Sequence, residues 1–94
     1  MSIMKRYIIE RDIPGIGAFS TTELCGAARA SNQALDTIGN AIQWQHSYVA
    51  DDKTFCVYLA DGEAAIQKHA ELSGIPFSKI TEATQIIDPT TANN

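Results

Sequence analysis

The sequence predicts a single α+β domain with its elements in the order β-α-β-β-α-β. This is a ferredoxin-like arrangement, an antiparallel sheet with two helices on one face. Three observations predict it. Two stretches with helical spacing, about 21–38 and 61–73, interrupt stretches that read as strands. The two middle strands, 42–50 and 54–60, are joined by so short a link that they must form an antiparallel hairpin. A length of 94 residues with 45% apolar content fits one globular domain. Right-handed crossovers then give the split β-α-β topology.

Residues 3–12 are rich in β-branched and aromatic types (Ile3, Tyr7, Ile8, Ile9) and predict a first strand, which Pro14, Gly15 and Gly17 interrupt. Ser20-Thr21-Thr22-Glu23 has the pattern of a capping box. Behind it, Leu24, Ala28, Ser31, Leu35 and Ile38 recur every three or four residues and make one narrow stripe, with Gly39 as the stop. Asp61 is placed to cap the second helix, where Ala65, Ile66, His69 and Ser73 share a side. Gly74 and Pro76 end it. A fourth strand is expected over residues 80–87, with Ile80, Ile86 and Ile87, and Asp88-Pro89 as its end. Residues 1–89 make the domain, and 90–94 read as a polar C-terminal tail.

Composition excludes several classes of function. The net charge is -4, and Lys5, Arg6 and Arg11 form no basic stripe, so no nucleic-acid partner is expected. Apolar runs are only a few residues long, so no membrane span is expected, and no secretion signal is read at the N-terminus. Cys25 and Cys56 read as free thiols of a cytoplasmic protein. No C-x-x-C or H-x-x-x-H pair marks a zinc site. Gly15-Ile16-Gly17 is too short for a nucleotide fingerprint.

The hairpin register decides which side chains meet, because a one-residue slip turns a strand over. A two-residue loop, Asp51-Asp52, sets Tyr48 opposite Phe55, His46 opposite Val57 and Trp44 opposite Leu59, and leaves Cys56 on the other face beside Ser47. A three-residue loop, Asp51 to Lys53, gathers His46, Tyr48, Cys56 and Tyr58 with Trp44. The first is preferred because it joins Phe55, Val57 and Leu59 to Ile42 and Trp44 as one core face. His69 sits mid-stripe on the second helix and points toward the sheet. Two inward histidines can converge on a metal, a ligand or a proton-transfer site. Each also has an ordinary reading as a hydrogen-bonded core or interface residue. Cys56 is a soft-metal ligand or a core filler, and Cys25 a filler. Trp44, Tyr48 and Tyr58 line a pocket or belong to the core.

The run Trp44-Gln45-His46-Ser47-Tyr48-Val49, followed by Asp51-Asp52-Lys53-Thr54 and Cys56-Val57-Tyr58, resembles a bacterial family of small nickel-binding, nickel-responsive proteins. Arg6-Tyr7, Glu10-Arg11 and Ile87-Asp88-Pro89-Thr90-Thr91 extend the resemblance over most of the chain. It implies a ferredoxin-like subunit that forms a dimer, with nickel near the dimer surface and no known catalytic activity.

The expectation is therefore a cytoplasmic homodimer of the dimeric α+β barrel type, binding nickel or another divalent transition metal for sensing, storage or buffering. His46, Cys56 and His69 are the candidate ligands, and Trp44, Tyr48 and Tyr58 line a pocket. Two rivals stand beside it. One is a cofactor-free monooxygenase or isomerase with His46 as base in a pocket between sheet and helices. The other is an interaction module without a ligand.

Overall fold

Alternation in the first strand sets the architecture. Tyr7, Ile9 and Arg11 are buried, while Arg6, Ile8 and Glu10 between them are only half covered. One face of this strand is therefore packed and the other left open. The computed structural model describes residues 3–93. Its elements are β1 (Lys5–Asp12), α1 (Thr21–Ile38), β2 (Ile42–Val49), β3 (Lys53–Ala60), α2 (Glu63–Ser73) and β4 (Lys79–Ala83), with 3-10 turns at Ile16–Ala18 and Pro89–Asn93. The βαββαβ order is the expected one.

The strands form one antiparallel sheet in the order β2-β3-β1-β4. Both helices lie on its inner face. Tyr7, Ile9, Ile42, Cys56, Tyr58 and Ala60 pack there against Ala65 and Ile66 of α2, and Leu35 and Ile38 of α1 close over them. The expected barrel is corrected by this topology. The sheet is open, since β2 and β4 each have a single neighbour. Four strands do not close, because even a small barrel with a filled interior takes about eight.

The capping box forms as the sequence predicts. Ser20 Oγ accepts from the Glu23 N–H at 3.1 Å, and Glu23 Oε1 accepts from the Ser20 N–H at 3.0 Å. Gly39 ends α1 at φ 83°, a left-handed conformation that favours glycine. Three boundaries differ from expectation. β1 begins at Lys5, leaving Ile3 82% exposed. β4 ends at Ala83, because its partner strand runs out one residue beyond the Arg6–Ala83 pair, and Ile86 and Ile87 lie exposed. The N-cap of α2 is Gly62, not Asp61, whose N–H is still tied to the Ala41 carbonyl at 3.0 Å.

The hairpin takes the two-residue loop. Val49 pairs with Thr54, Tyr48 with Phe55, Ser47 with Cys56 and His46 with Val57. A β-bulge at Gln45 then shifts the register, so Trp44 pairs with Tyr58 and Ile42 with Ala60. The extra residue turns Trp44 and Ile42 to the face that Ser47 occupies, away from His46 and Tyr48. Trp44 Nε1 donates to Ser47 Oγ at 3.0 Å across the bulge. The expected single core face is thus split. Ile42 and Trp44 go inward with Cys56 and Tyr58, while Phe55, Val57 and Leu59 share the outer face with His46 and Tyr48.

The hairpin tip also holds the connection between β1 and α1. Ile13 N–H donates to Asp52 O at 3.0 Å, Gly17 N–H to Asp51 O at 2.9 Å and Gly15 N–H to Asp52 Oδ1 at 2.8 Å. Gly17 lies so close that a Cβ there would stand 2.8 Å from Asp51 Cα. Asp51 and Asp52 are therefore anchoring turn residues. Among the described residues no helix is long and apolar enough to cross a membrane.

Candidate functional site

The anchored connection, α1 and the inner face of the hairpin border a half-open cavity of about 260 Å³. Its wall is apolar, and Ile13, Ile16, Leu24, Val49 and Ile75 are among the residues that line it. Val49 is 47% exposed and marks the rim. The floor is polar and comes from four elements: Arg11 of β1, Ser31 of α1, Cys56 and Tyr58 of β3 and His69 of α2. No Asp or Glu lines the cavity.

Strand parity puts Arg11 on the inner face, two residues beyond Ile9, and only 3% of it is exposed. Its Nη1 donates to the carbonyls of Ile75 and Pro76 at 2.7 and 3.2 Å, in the segment that follows α2. Its Nη2 lies 3.5 Å from His69 Nδ1. The other side of the ring faces Ser31, with His69 Nε2 3.0 Å from Ser31 Oγ. A guanidinium only donates, so Nδ1 is the accepting nitrogen and the proton sits on Nε2. The Nε2–H then donates to Ser31 Oγ, and the serine hydroxyl is left free to donate onward. The Tyr58 ring tilts against the imidazole at a centroid distance of 5.3 Å.

Electrostatics support the neutral imidazole. Burial, helped by the Arg11 charge, lowers the His69 pKa from 6.5 to about 4. Burial also raises the Tyr58 phenol above its usual value, with Arg11 partly opposing it. The floor at neutral pH is a fixed cation surrounded by neutral donors.

The predicted site residues are divided between the two faces. Cys56, His69, Trp44 and Tyr58 line the inner cavity. His46 and Tyr48 stand on the outer face in an edge-to-face pair with centroids 5.1 Å apart, both exposed. The bulge at Gln45 causes this separation. Among the described residues no group of three or more His, Cys, Asp or Glu comes together. Sequence reasoning missed Arg11, which read as one of three scattered charges. The signal for it was parity with Tyr7 and Ile9. Ser31 was seen as part of the α1 stripe but not as a partner of His69.

Fold and cavity define a small ferredoxin-like domain with a donor-lined cavity beneath its first helix. The chain belongs to the family described as nickel responsive protein SCO4226-like, whose pattern matches residues 7–83. This is the kind of family that the central run resembles. The crystal structure of SCO4226 from Streptomyces coelicolor A3(2) has the same fold, with a TM-score of 0.71 at 15% identity, and the match covers 87% of this chain and 99% of that one. No curated protein matches the chain.

The family's description brings in nickel, and the residues of the cavity can be tested against it. Cys56 and the imidazole of His69 are chemically suited to nickel. Their surroundings are not. Both ring nitrogens of His69 have partners, and the Arg11 guanidinium lies 3.5 Å from one of them. No carboxylate offsets a second cation there. The cavity floor as arranged does not fit nickel.

Proposed function

We propose that the protein is a small-ligand-binding member of the nickel-responsive family. The inner cavity takes an organic molecule of modest size, held mainly by its apolar wall. The carrying observation is the cavity itself, about 260 Å³ and apolar around most of its surface, above a cluster of convergent polar groups. Pockets of this make-up are the usual small-molecule sites of proteins. Whether the bound molecule is turned over is a separate matter. His46, the base of the enzyme reading, is on the far side of the sheet from the cavity. Titration calorimetry with indole as a neutral apolar probe tests the reading, beside an Ala28→Phe variant in which the new ring fills the cavity. Saturable binding lost in a folded variant supports it. Binding that survives the filling sinks it.

A second reading concerns nickel and the partner, and exposure of the outer face favours it. Ile8, Phe55 and Leu59 are only half covered, and Tyr48 is 63% exposed. A second copy packed on this face gives a homodimer and covers these residues. His46 lies within that patch as an accessible imidazole, so nickel near the dimer surface would be met there. Free thiols at Cys25 and Cys56 suit a cytoplasmic location. Sedimentation with and without nickel, for wild type and for the His46→Ala, Cys56→Ala and His69→Ala variants, tests both parts. A monomer at all concentrations, with equal nickel uptake in every variant, removes this reading.

A further inference from the structure

Resting on the cavity reading, we propose that the ligand is a small organic carboxylate, with Arg11 as its anchor and an apolar body against the cavity wall. The proposed anchor is a buried charge. Arg11 is 97% buried by its 3% exposure, and a guanidinium stays protonated in proteins. A buried cation is ordinarily paired with an anion. Here the ion pairs among the described residues are those of Lys53 with Glu10 and Asp12, and Arg11 takes part in none. Two backbone carbonyls, one imidazole nitrogen and the Tyr58 phenol solvate it, and none of these carries a negative charge.

The guanidinium has donors left over. It carries five N–H groups. Nη1 serves Ile75 and Pro76, one Nη2 hydrogen faces His69, and Nε makes no hydrogen bond among the described residues. No fully enclosed side-chain nitrogen or oxygen among the described residues lacks a partner. An unpartnered Nε is therefore not fully enclosed, and Arg11 lines the cavity. The other polar groups point to the same charge. The Arg11–His69–Ser31 chain runs donor to acceptor in one direction, and the Ser31 hydroxyl is turned toward the Tyr58 oxygen, which leaves the phenol hydrogen as the last donor. Tyr58 adds a phenol that burial keeps protonated. Donors converge and acceptors with negative charge are absent, so the floor is complementary to an anion.

The wall limits the rest of the molecule. An apolar cavity of about 150 Å³ admits benzene. The present cavity is about 260 Å³, with Ile13, Ile16, Leu24, Val49 and Ile75 around it. That suits a bicyclic aromatic acid or a medium-chain fatty acid, and not a bare inorganic anion, which would leave the wall empty.

The test compares 2-naphthoate with 2-naphthamide, which has nearly the same shape and no charge, on the full chain at pH 7.5 by titration calorimetry. The expected result is a preference of about tenfold for the acid, the ratio that follows when a hydrogen bond gains a charged partner. Arg11→Gln is expected to abolish the preference. Where that variant does not fold, Arg11→Lys, Ser31→Ala and Tyr58→Phe serve instead, each expected to reduce the preference while retaining amide binding. Equal or tighter binding of the amide to wild type overturns the carboxylate assignment and leaves the cavity reading intact. Failure of both compounds and of indole to bind overturns the two together.

Discussion

The two faces of this sheet are built from adjacent residues of the same strands and behave as different materials. On the inner face, Tyr7, Ile9 and Tyr58 are 2%, 0% and 2% exposed, and the polar groups among them are tied to one another. On the outer face, His46 and Tyr48 are exposed, and Ile8, Phe55 and Leu59 are half covered. Apolar composition alone does not distinguish them. The difference lies in what covers each face: two helices on one, and no helix among the described residues on the other. The inner face carries the fold's stability and the cavity, and the outer face is free to meet a partner.

The largest expected effect tests that contrast on neighbouring residues. Ile9→Ala, which opens a void in the core, is expected to cost about 3–4 kcal/mol in chemical denaturation. Ile8→Ala, on the outer face, is expected to cost about 1 kcal/mol at low concentration, since little burial is lost. Similar costs for both would erase the distinction. A cost for Ile8→Ala that grows with protein concentration would show the outer face covered by a second copy.

The next effect is acid sensitivity from the inner face. His69 has a pKa of about 4 in the fold and 6.5 when unfolded. Between those values the unfolded chain binds a proton that the native chain refuses, so stability rises with pH across the window. The contribution is complete above pH 6.5 and lost as pH falls toward 4, about 3 kcal/mol in all. Arg11 from β1, Ser31 from α1 and Tyr58 and Cys56 from β3 surround the ring, and none is a carboxylate that would stabilise the imidazolium. Denaturation at a series of pH values, with a His69→Gln control that flattens the slope in this window, measures it.

Smaller effects sharpen the comparison further. Gly17→Ala puts a methyl group 2.8 Å from Asp51 Cα and 2.9 Å from Ala50 O, both backbone, and is expected to cost about 2 kcal/mol and loosen the cavity wall. Loss of indole affinity beyond the loss of stability would report that loosening. Ser31→Ala removes the acceptor of the His69 Nε2–H and is expected to cost about 1–2 kcal/mol. His46→Ala, the outer counterpart, is expected to stay within about 0.5 kcal/mol of wild type when the protein is dilute.

Most of the element order was legible in the sequence because it rests on periodicity and strong punctuation. The Ser20–Glu23 capping box, Gly39 and the Asp51-Asp52 turn all act locally, and each forms as read. The site was less legible because it depends on one residue of register. From Tyr48 to His46 alternation holds, and a reader who continues it to Trp44 and Ile42 puts all four on one face. No local pattern marks Gln45 as an extra residue. The bulge is favoured by tertiary packing, which buries Ile42 to 3% exposure and gives the Trp44 indole a partner in Ser47. The same limit applies at Ile86 and Ile87, whose apolar character suggested strand although the pairing with β1 ends at Arg6–Ala83. Arg11 was legible as an inward strand position but not as a site, because nothing local shows that its charge goes unpaired.

The bulge has a consequence for the protein as a solute. An open sheet has two edges, each a row of unpaired N–H and C=O groups able to recruit strands from other molecules. One edge here, β4, is only five residues long. The other, β2, spans eight residues, long enough to template a fibre. The displaced backbone at Gln45 breaks the regular spacing of its donors and acceptors near mid-strand. A straight incoming strand meets matching partners over only half the edge. The distortion that turns Trp44 toward the cavity thus also hinders edge-to-edge aggregation.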